Sequence, residues 1–334
     1  MGSRFVRGAL LATVVLLAGG LAGCTPPELI VVTTTASGPD HAPGDGVCEI
    51  TPGAGDCSLQ AAVDEGNTLP FASITVPPGE YAGADLVITG KVQINWGAPK
   101  AVTLSDVSID VAAGGHLQAD GLVTPVPEPE DPSNPFPHGV QLNVAGLLQL
   151  RRSSIVNTGP EPFEGVALTV SPGGIAGIDN SILFGGVHAV ENEGSVLVIR
   201  SALFNLWSGV IDTSGDGVSV FQSTLLSRAV NTHLITIVCS GSGATSAGYS
   251  LWGGPFSGCT QAGTDVPQTF PSAPPVTLGA TWPYDVPAAA VDFIPIGEAG
   301  CSLTEVDLYG NPRGVDGNGD GVPGCDIGAL ERQP

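Results

Sequence analysis

Three sets of residues in this 334-residue chain have types and spacings suited to chemistry. The first is Leu21-Ala22-Gly23-Cys24, a thiol behind small and apolar residues, preceded by Arg4, Arg7 and the apolar run Ala9 to Ala18. That run is too short to span a bilayer comfortably. A basic start, an apolar stretch and a small-residue cleavage site are the layout of an export signal. Cleavage before Cys24 would leave its thiol to carry a diacylglycerol and its new amino group to take a third chain. At about 0.8 kcal/mol per buried methylene, two or more acyl chains hold a protein on a membrane. Residues 1–23 are therefore read as a lipoprotein signal peptide and Cys24 as lipidated. The rival is an ordinary secretory signal cut elsewhere, with Cys24 incidental.

The second set is the remaining six cysteines, which fall into three local couples: Cys48 with Cys57, Cys239 with Cys259, and Cys301 with Cys325. An even count in an exported chain points to disulfides, each typically contributing about 2–4 kcal/mol. Locality favours pairing within couples, although six cysteines allow 15 connectivities. Zinc is the competing use, but no couple is a C-x2-C pair with histidines nearby.

The third set is Asp316-x-Asn318-x-Asp320-Gly321. Oxygen donors at alternate positions around a glycine turn are what Ca2+ requires. The bidentate Glu of a calcium loop is missing, since Ile327 stands at its twelfth position. An acidic turn that satisfies its own backbone is the alternative. Asp212 to Gly217 reads as a plain turn.

Familiar catalytic frames are absent from the sequence: there is no G-x-S-x-G, no H-E-x-x-H and no phosphate loop. A polysaccharide lyase would need a lysine- or arginine-type base. After Cys24 the only such residues are Lys91, Lys100, Arg151, Arg152, Arg200, Arg228, Arg313 and Arg332. Arg151, Arg152, Arg200 and Arg228 flank a recurrent Ser phrase, so they would line one face, where solvated ladder positions are the simpler reading. His138, His188 and His233 sit near the starts of repeats and read as turn residues.

The elements that must position these residues are strands. All 32 acidic residues follow Cys24, against eight basic ones, which makes nucleic acid an unsuitable partner. Hydrophobic residues make up 42% of the chain, which argues against disorder despite 48 Gly and 29 Pro. Val31-Val32-Thr33-Thr34-Thr35 reads as a first strand within a lipidated tether, 24–44. Within a cap block, 45–85, Leu59, Ala62 and Val63 have the spacing of a short amphipathic helix with Ser58 as its N-cap, followed by a strand Ser73 to Val76.

From about residue 86 to 265 the chain repeats. The phrases starting at Gly139, Gly165, His188 and Gly209 lie 26, 23 and 21 residues apart. A second phrase recurs at Ser153-Ser154-Ile155-Val156, Ser181-Ile182-Leu183-Phe184, Ser201-Ala202-Leu203-Phe204 and Ser223-Thr224-Leu225-Leu226. A period of this length built from short strands and turns fits a coil of a right-handed parallel β-helix, an all-β solenoid with inward aliphatic ladders. A leucine-rich horseshoe would need an L-x-x-L-x-L frame that is missing, and an immunoglobulin-like array lacks this longer rhythm. The Pro-rich insert 124–137 must loop out, because proline has no donor for a ladder. A second Pro-rich stretch, Pro267 to Pro287, opens the C-terminal segment 266–334 and is expected to cross the outside or open end of the coil.

Two stretches resemble a known bacterial group. Asp56-Cys57-Ser58-Leu59-Gln60-Ala61-Ala62-Val63 to Asn67, then Gly79-Glu80-Tyr81, is similar to the amino-terminal segment of CSLREA-type exported β-helix proteins, with Gln60-Ala61 in place of the usual Arg-Glu. Asp307-Leu308-Tyr309-Gly310-Asn311-Pro312-Arg313 through Cys325-Asp326-Ile327-Gly328-Ala329-Leu330-Glu331 resembles their carboxy-terminal signature. The resemblance implies a pectate-lyase-like β-helix on the cell surface or secreted, in a group associated with adhesion and display. The expectation is a non-catalytic, lipid-anchored envelope protein, on an outer membrane or cell surface, that contacts polysaccharide or a surface protein. The alternative is a carbohydrate-active enzyme on the same scaffold.

Overall fold

The computed structural model describes residues 26–96, 102–124, 139–157, 165–205, 209–228, 238–254, 256–267 and 286–334. Cys24, His138, His233 and Lys100 lie outside them, as do the signal peptide and most of both Pro-rich stretches.

The chain winds as a right-handed parallel β-helix with three faces. A typical coil runs from Leu147–Arg151 on the first face to Ser154–Asn157 on the third and Val166–Val170 on the second, then returns to the first face at Ile175–Asp179. Stacking gives sheets of nine strands on the first face, eight on the second and six on the third, all parallel within each sheet. Gly79–Ala82 and Val102–Ser105 begin the third face as a separate pair.

Alternation sets which side chains enter the core. On the first face Ile74, Ile94, Leu117, Leu148, Ile178 and Val198 point inward and are buried in one continuous aliphatic cluster. The third face departs from alternation: Ile182–Gly185 and Ala202–Asn205 are buried at every position. Leu183 and Leu203 enter the coil. Phe184 and Phe204 face outward, where Ala290, Ile294, Leu308, Ile327 and Leu330 cover them. The C-terminal segment thus makes the third face a sheet buried on both sides, and its strands read as continuous apolar runs.

Three backbone devices let the coils stack. At the corner between first and third faces, one residue per coil takes a left-handed conformation: Arg152, Asn180, Arg200, Ser223 and Tyr249. The next residue carries a buried hydroxyl. Ser181 Oγ accepts from Ser153 N at 3.1 Å and donates to Asp179 O at 2.8 Å, and Ser201 Oγ repeats this toward Ser181 N and Ile199 O. The recurrent Ser phrase is this hydroxyl ladder. Finally, a glycine precedes nearly every first-face strand. A Cβ on Gly115 would stand 2.1 Å from Ile88 O, and one on Gly243 1.9 Å from Gly217 O.

Both ends of the core are capped. The helix Leu59–Gly66 seals the first coil, with Ser58 Oγ accepting from Ala61 N at 2.9 Å. Asn67 Oδ1 accepts from Thr89 N and Gly90 N, tying the helix to the next coil. The first strand is Glu28–Val31 and not Val31 to Thr35, because Thr33 N and Thr34 N both turn to Cys57 O. The following strand is Ala72–Thr75, one residue earlier than read. At the far end Asp265 accepts from Ser250 N, Ser246 Oγ and Trp252 Nε1. Thr124 belongs to the coil and not to the insert: its Oγ1 accepts from Val156 N at 2.6 Å, beside a bridge from Val123 to Ser154.

Candidate binding face

Disulfides join Cys48 to Cys57, Cys239 to Cys259 and Cys301 to Cys325, with Cα separations of 5.0, 6.2 and 5.6 Å. The first staples the N-terminal cap, the second the last coils, and the third the C-terminal segment. All six sulfurs are consumed structurally.

The Asp316 loop closes on itself. Asp316 Oδ1 accepts from Gly319 N at 2.7 Å and Asp320 N at 3.1 Å, and Oδ2 accepts from Gly321 N at 2.8 Å. Asn318 Oδ1 takes Asp320 N, and Asp320 Oδ1 takes Val322 N. These oxygens serve the turn's own amides. Among the described residues no group of three or more His, Cys, Asp or Glu side chains is placed to hold a metal. In the stretch 212–217 the turn itself is local, with Gly217 N donating to Ser214 O, whereas Asp212 lies in the strand Ile211–Thr213 and accepts from Ser240 Oγ of the next coil.

The arginines separate into two groups. Arg152 is bound in a fork by Asp120, with Nε 2.9 Å from Oδ1, and this bond raises its already high pKa. Arg200 takes both oxygens of Asp179 at 2.8 Å and reaches Glu305 at 2.8 Å, tying the left-handed corner to the C-terminal segment. Neither is a free base. Arg313 is buried within the C-terminal segment. Arg151, by contrast, is exposed on the first face and makes no ion pair among the described residues. It stands in register between Asp120 and Asp179. Arg228 occupies the last position of a third-face strand.

His188 lies on the second face, its Nε2 3.9 Å from a Glu191 oxygen and its Nδ1 buried without a hydrogen-bond partner. One carboxylate at that distance does not make a catalytic centre.

What the first face assembles is a polar surface that spacing alone did not disclose. Gln93, Gln118 and Gln149 are in register on three successive strands, each half-buried. Neighbouring strands lie about 4.8 Å apart. Lys91 and His116 flank this amide row on one side, and Asn95, Asp120 and Arg151 on the other. Burial first, and then Lys91, push the His116 pKa down. Its Nε2 is buried and has no partner. Farther along, the same face turns apolar, with Ile175, Leu197 and Val218 exposed. Period-2 alternation marks each Gln as a lateral position of its own strand, but unequal intervals of 25 and 31 residues hide that the three share a row.

Among the described residues no helix is long and apolar enough to cross a membrane. No family model matches the sequence and no curated protein matches it. Among solved structures, the chain is similar to the crystal structure of pectate lyase Pel9A, with 13% identity, a TM-score of 0.29, and coverage of 83% of this chain and 91% of that one. The class defined by the sheets themselves is the parallel β-helix with a helical N-terminal cap and a C-terminal segment latched along one face.

Proposed function

We propose that the protein is an envelope-anchored β-helix, of the CSLREA-like kind, that engages polysaccharide along its first face. The observation that carries this reading is the register of Gln93, Gln118 and Gln149 between a row of Lys91, His116 and Leu147 and a row of Asn95, Asp120 and Arg151. Gln118 and Gln149 each offer two amide donors and an acceptor, while Gln93 spends one donor on Asn95 Oδ1 at 3.1 Å. Their repeat of about 4.8 Å is close to the rise of one sugar unit in an extended chain, so consecutive amides meet consecutive hydroxyl groups. Cys24 would supply membrane attachment. Lipidation is tested by labelling with a palmitate analogue, which Cys24→Ala should abolish.

A second reading, cleavage of that polysaccharide, draws on Arg151, an unpaired guanidinium in register between two carboxylates. Binding is favoured because Arg152 and Arg200 are already held by ion pairs. Calorimetry and product analysis on neutral and uronic polysaccharides separate the readings. Saturable binding without product supports the first. Product formation lost in Arg151→Ala supports the second.

A further inference from the structure

The first strand, Glu28–Val31, is the outermost of the nine-stranded sheet. Its pairing to the next strand uses Glu28 N, bonded to Phe71 O, and continues past the strand at Val32 N, bonded to Thr75 O. In a parallel ladder alternate residues face opposite edges, so the N–H and C=O groups of Leu29 and Val31 point away from the sheet. Neither residue has a backbone partner among the described residues. Their side chains are 65% and 46% exposed, while Ile30 and Val32 are buried.

Within Glu28–Val31 there is no lysine, proline or bulge; Pro26 and Pro27 precede the strand, and its four residues leave Leu29 and Val31 as the open part of the edge. It lines a cleft of about 220 Å³ whose other wall is the cap: Gly46, Cys48, Gly55, Cys57 and Leu69. The Cys48–Cys57 disulfide and Glu65, whose carboxylate accepts from Gly44 N and Gly46 N, hold that wall in place. A walled cleft admits a single extended chain and obstructs a second β-helix edge. Charge points the same way. Glu28 is exposed and makes no ion pair among the described residues, and the protein carries a net charge of −22. A second copy is repelled, and a lysine- or arginine-bearing segment is attracted.

We propose that the free edge of Glu28–Val31 and the cap together form a strand-addition site that takes an extended, basic segment of a partner protein. Main-chain bonds to Leu29 and Val31 supply the affinity, and Glu28 supplies the preference for a cation.

The test uses detergent-solubilised full chain and a fluorescein-labelled hexapeptide of alternating valine and threonine with lysine at each end. Anisotropy should show saturable binding. N-methylation of alternate peptide amides and the variant Val31→Pro should each weaken it about tenfold. Val31→Pro removes an N–H that the sheet does not use, so its thermal unfolding should match the parent. Glu28→Lys should shift preference toward the same peptide with glutamate ends. No saturable binding, equal binding of the N-methylated peptide, or equal binding by Val31→Pro overturns the proposal. So does concentration-dependent self-association that Val31→Pro abolishes, since the occupant would then be a second copy. If Val31→Pro unfolds, the N-methylated peptide against the parent decides alone.

Discussion

Arg313 Nε lies 3.4 Å from Glu331 Oε2 with both side chains almost wholly out of solvent, at 1% and 0% exposure. Around this ion pair the C-terminal segment closes on itself. Arg313 Nη2 donates to Asp326 O at 2.9 Å and Gly328 O at 2.7 Å, while Glu331 accepts from Gly314 N and Asp326 N. Asp326 in turn accepts from Asp292 N and Arg332 N. The stretch that resembles a carboxy-terminal signature is therefore a structural latch, whose apolar side covers the third face.

At pH 8, where Glu331 is ionised, removing one member of this pair leaves an uncompensated buried charge. Arg313→Met should destabilise the protein by about 3–5 kcal/mol. Combining it with Glu331→Gln should recover part of that loss. Equilibrium urea unfolding of the three variants measures both quantities.

The latch should respond to pH. Burial, reinforced by Asp326, pushes Glu331 up to about 7, and burial raises Asp326 to about 6. A carboxyl group with a raised folded pKa holds a proton that the unfolded chain has released, so folding takes up protons between the two values. The stability it contributes is full below the ordinary carboxylate range and is lost as pH climbs through about 6 to 7. Unfolding midpoints should therefore fall from pH 5 to pH 8. Glu331→Gln should flatten the slope in parallel measurements.

The hydroxyl ladder makes a separate prediction. Ser181→Ala would strand the buried N–H of Ser153, which donates to Ser181 Oγ. The expected cost is about 1–3 kcal/mol. Gly115→Ala should cost as much or more, because its methyl would meet Ile88 O at 2.1 Å. Thermal melts of both variants beside an exposed control, Ser195→Ala, check that the loss belongs to stacking.

These sites show what was readable in advance. The inward Leu, Val and Ile of each coil and the helix from Leu59 announce themselves by period, because alternation and 3.6-residue spacing are local. The Ser phrase was visible, but its role as a ladder of acceptors depends on a left-handed residue before it, and nothing in Arg152 or Arg200 advertises a positive φ. The double burial of Phe184 and Phe204 was hidden for another reason: the cover comes from far along the chain. Asn180 Nδ2 meets Val306 O across 126 residues. The amide row was equally hidden, since coils of unequal length place Gln93, Gln118 and Gln149 in register only after folding.

The proposed role of the amide row on the first face is to bind polysaccharide. Calorimetric titration of the full chain with neutral and uronic polysaccharides, beside the triple variant Gln93→Ala, Gln118→Ala, Gln149→Ala, tests it most directly. Saturable binding by the parent, weakened about tenfold or more in a variant with unchanged melting, is the expected result. Equal binding by parent and variant, or no binding by the parent to any polysaccharide, would contradict it.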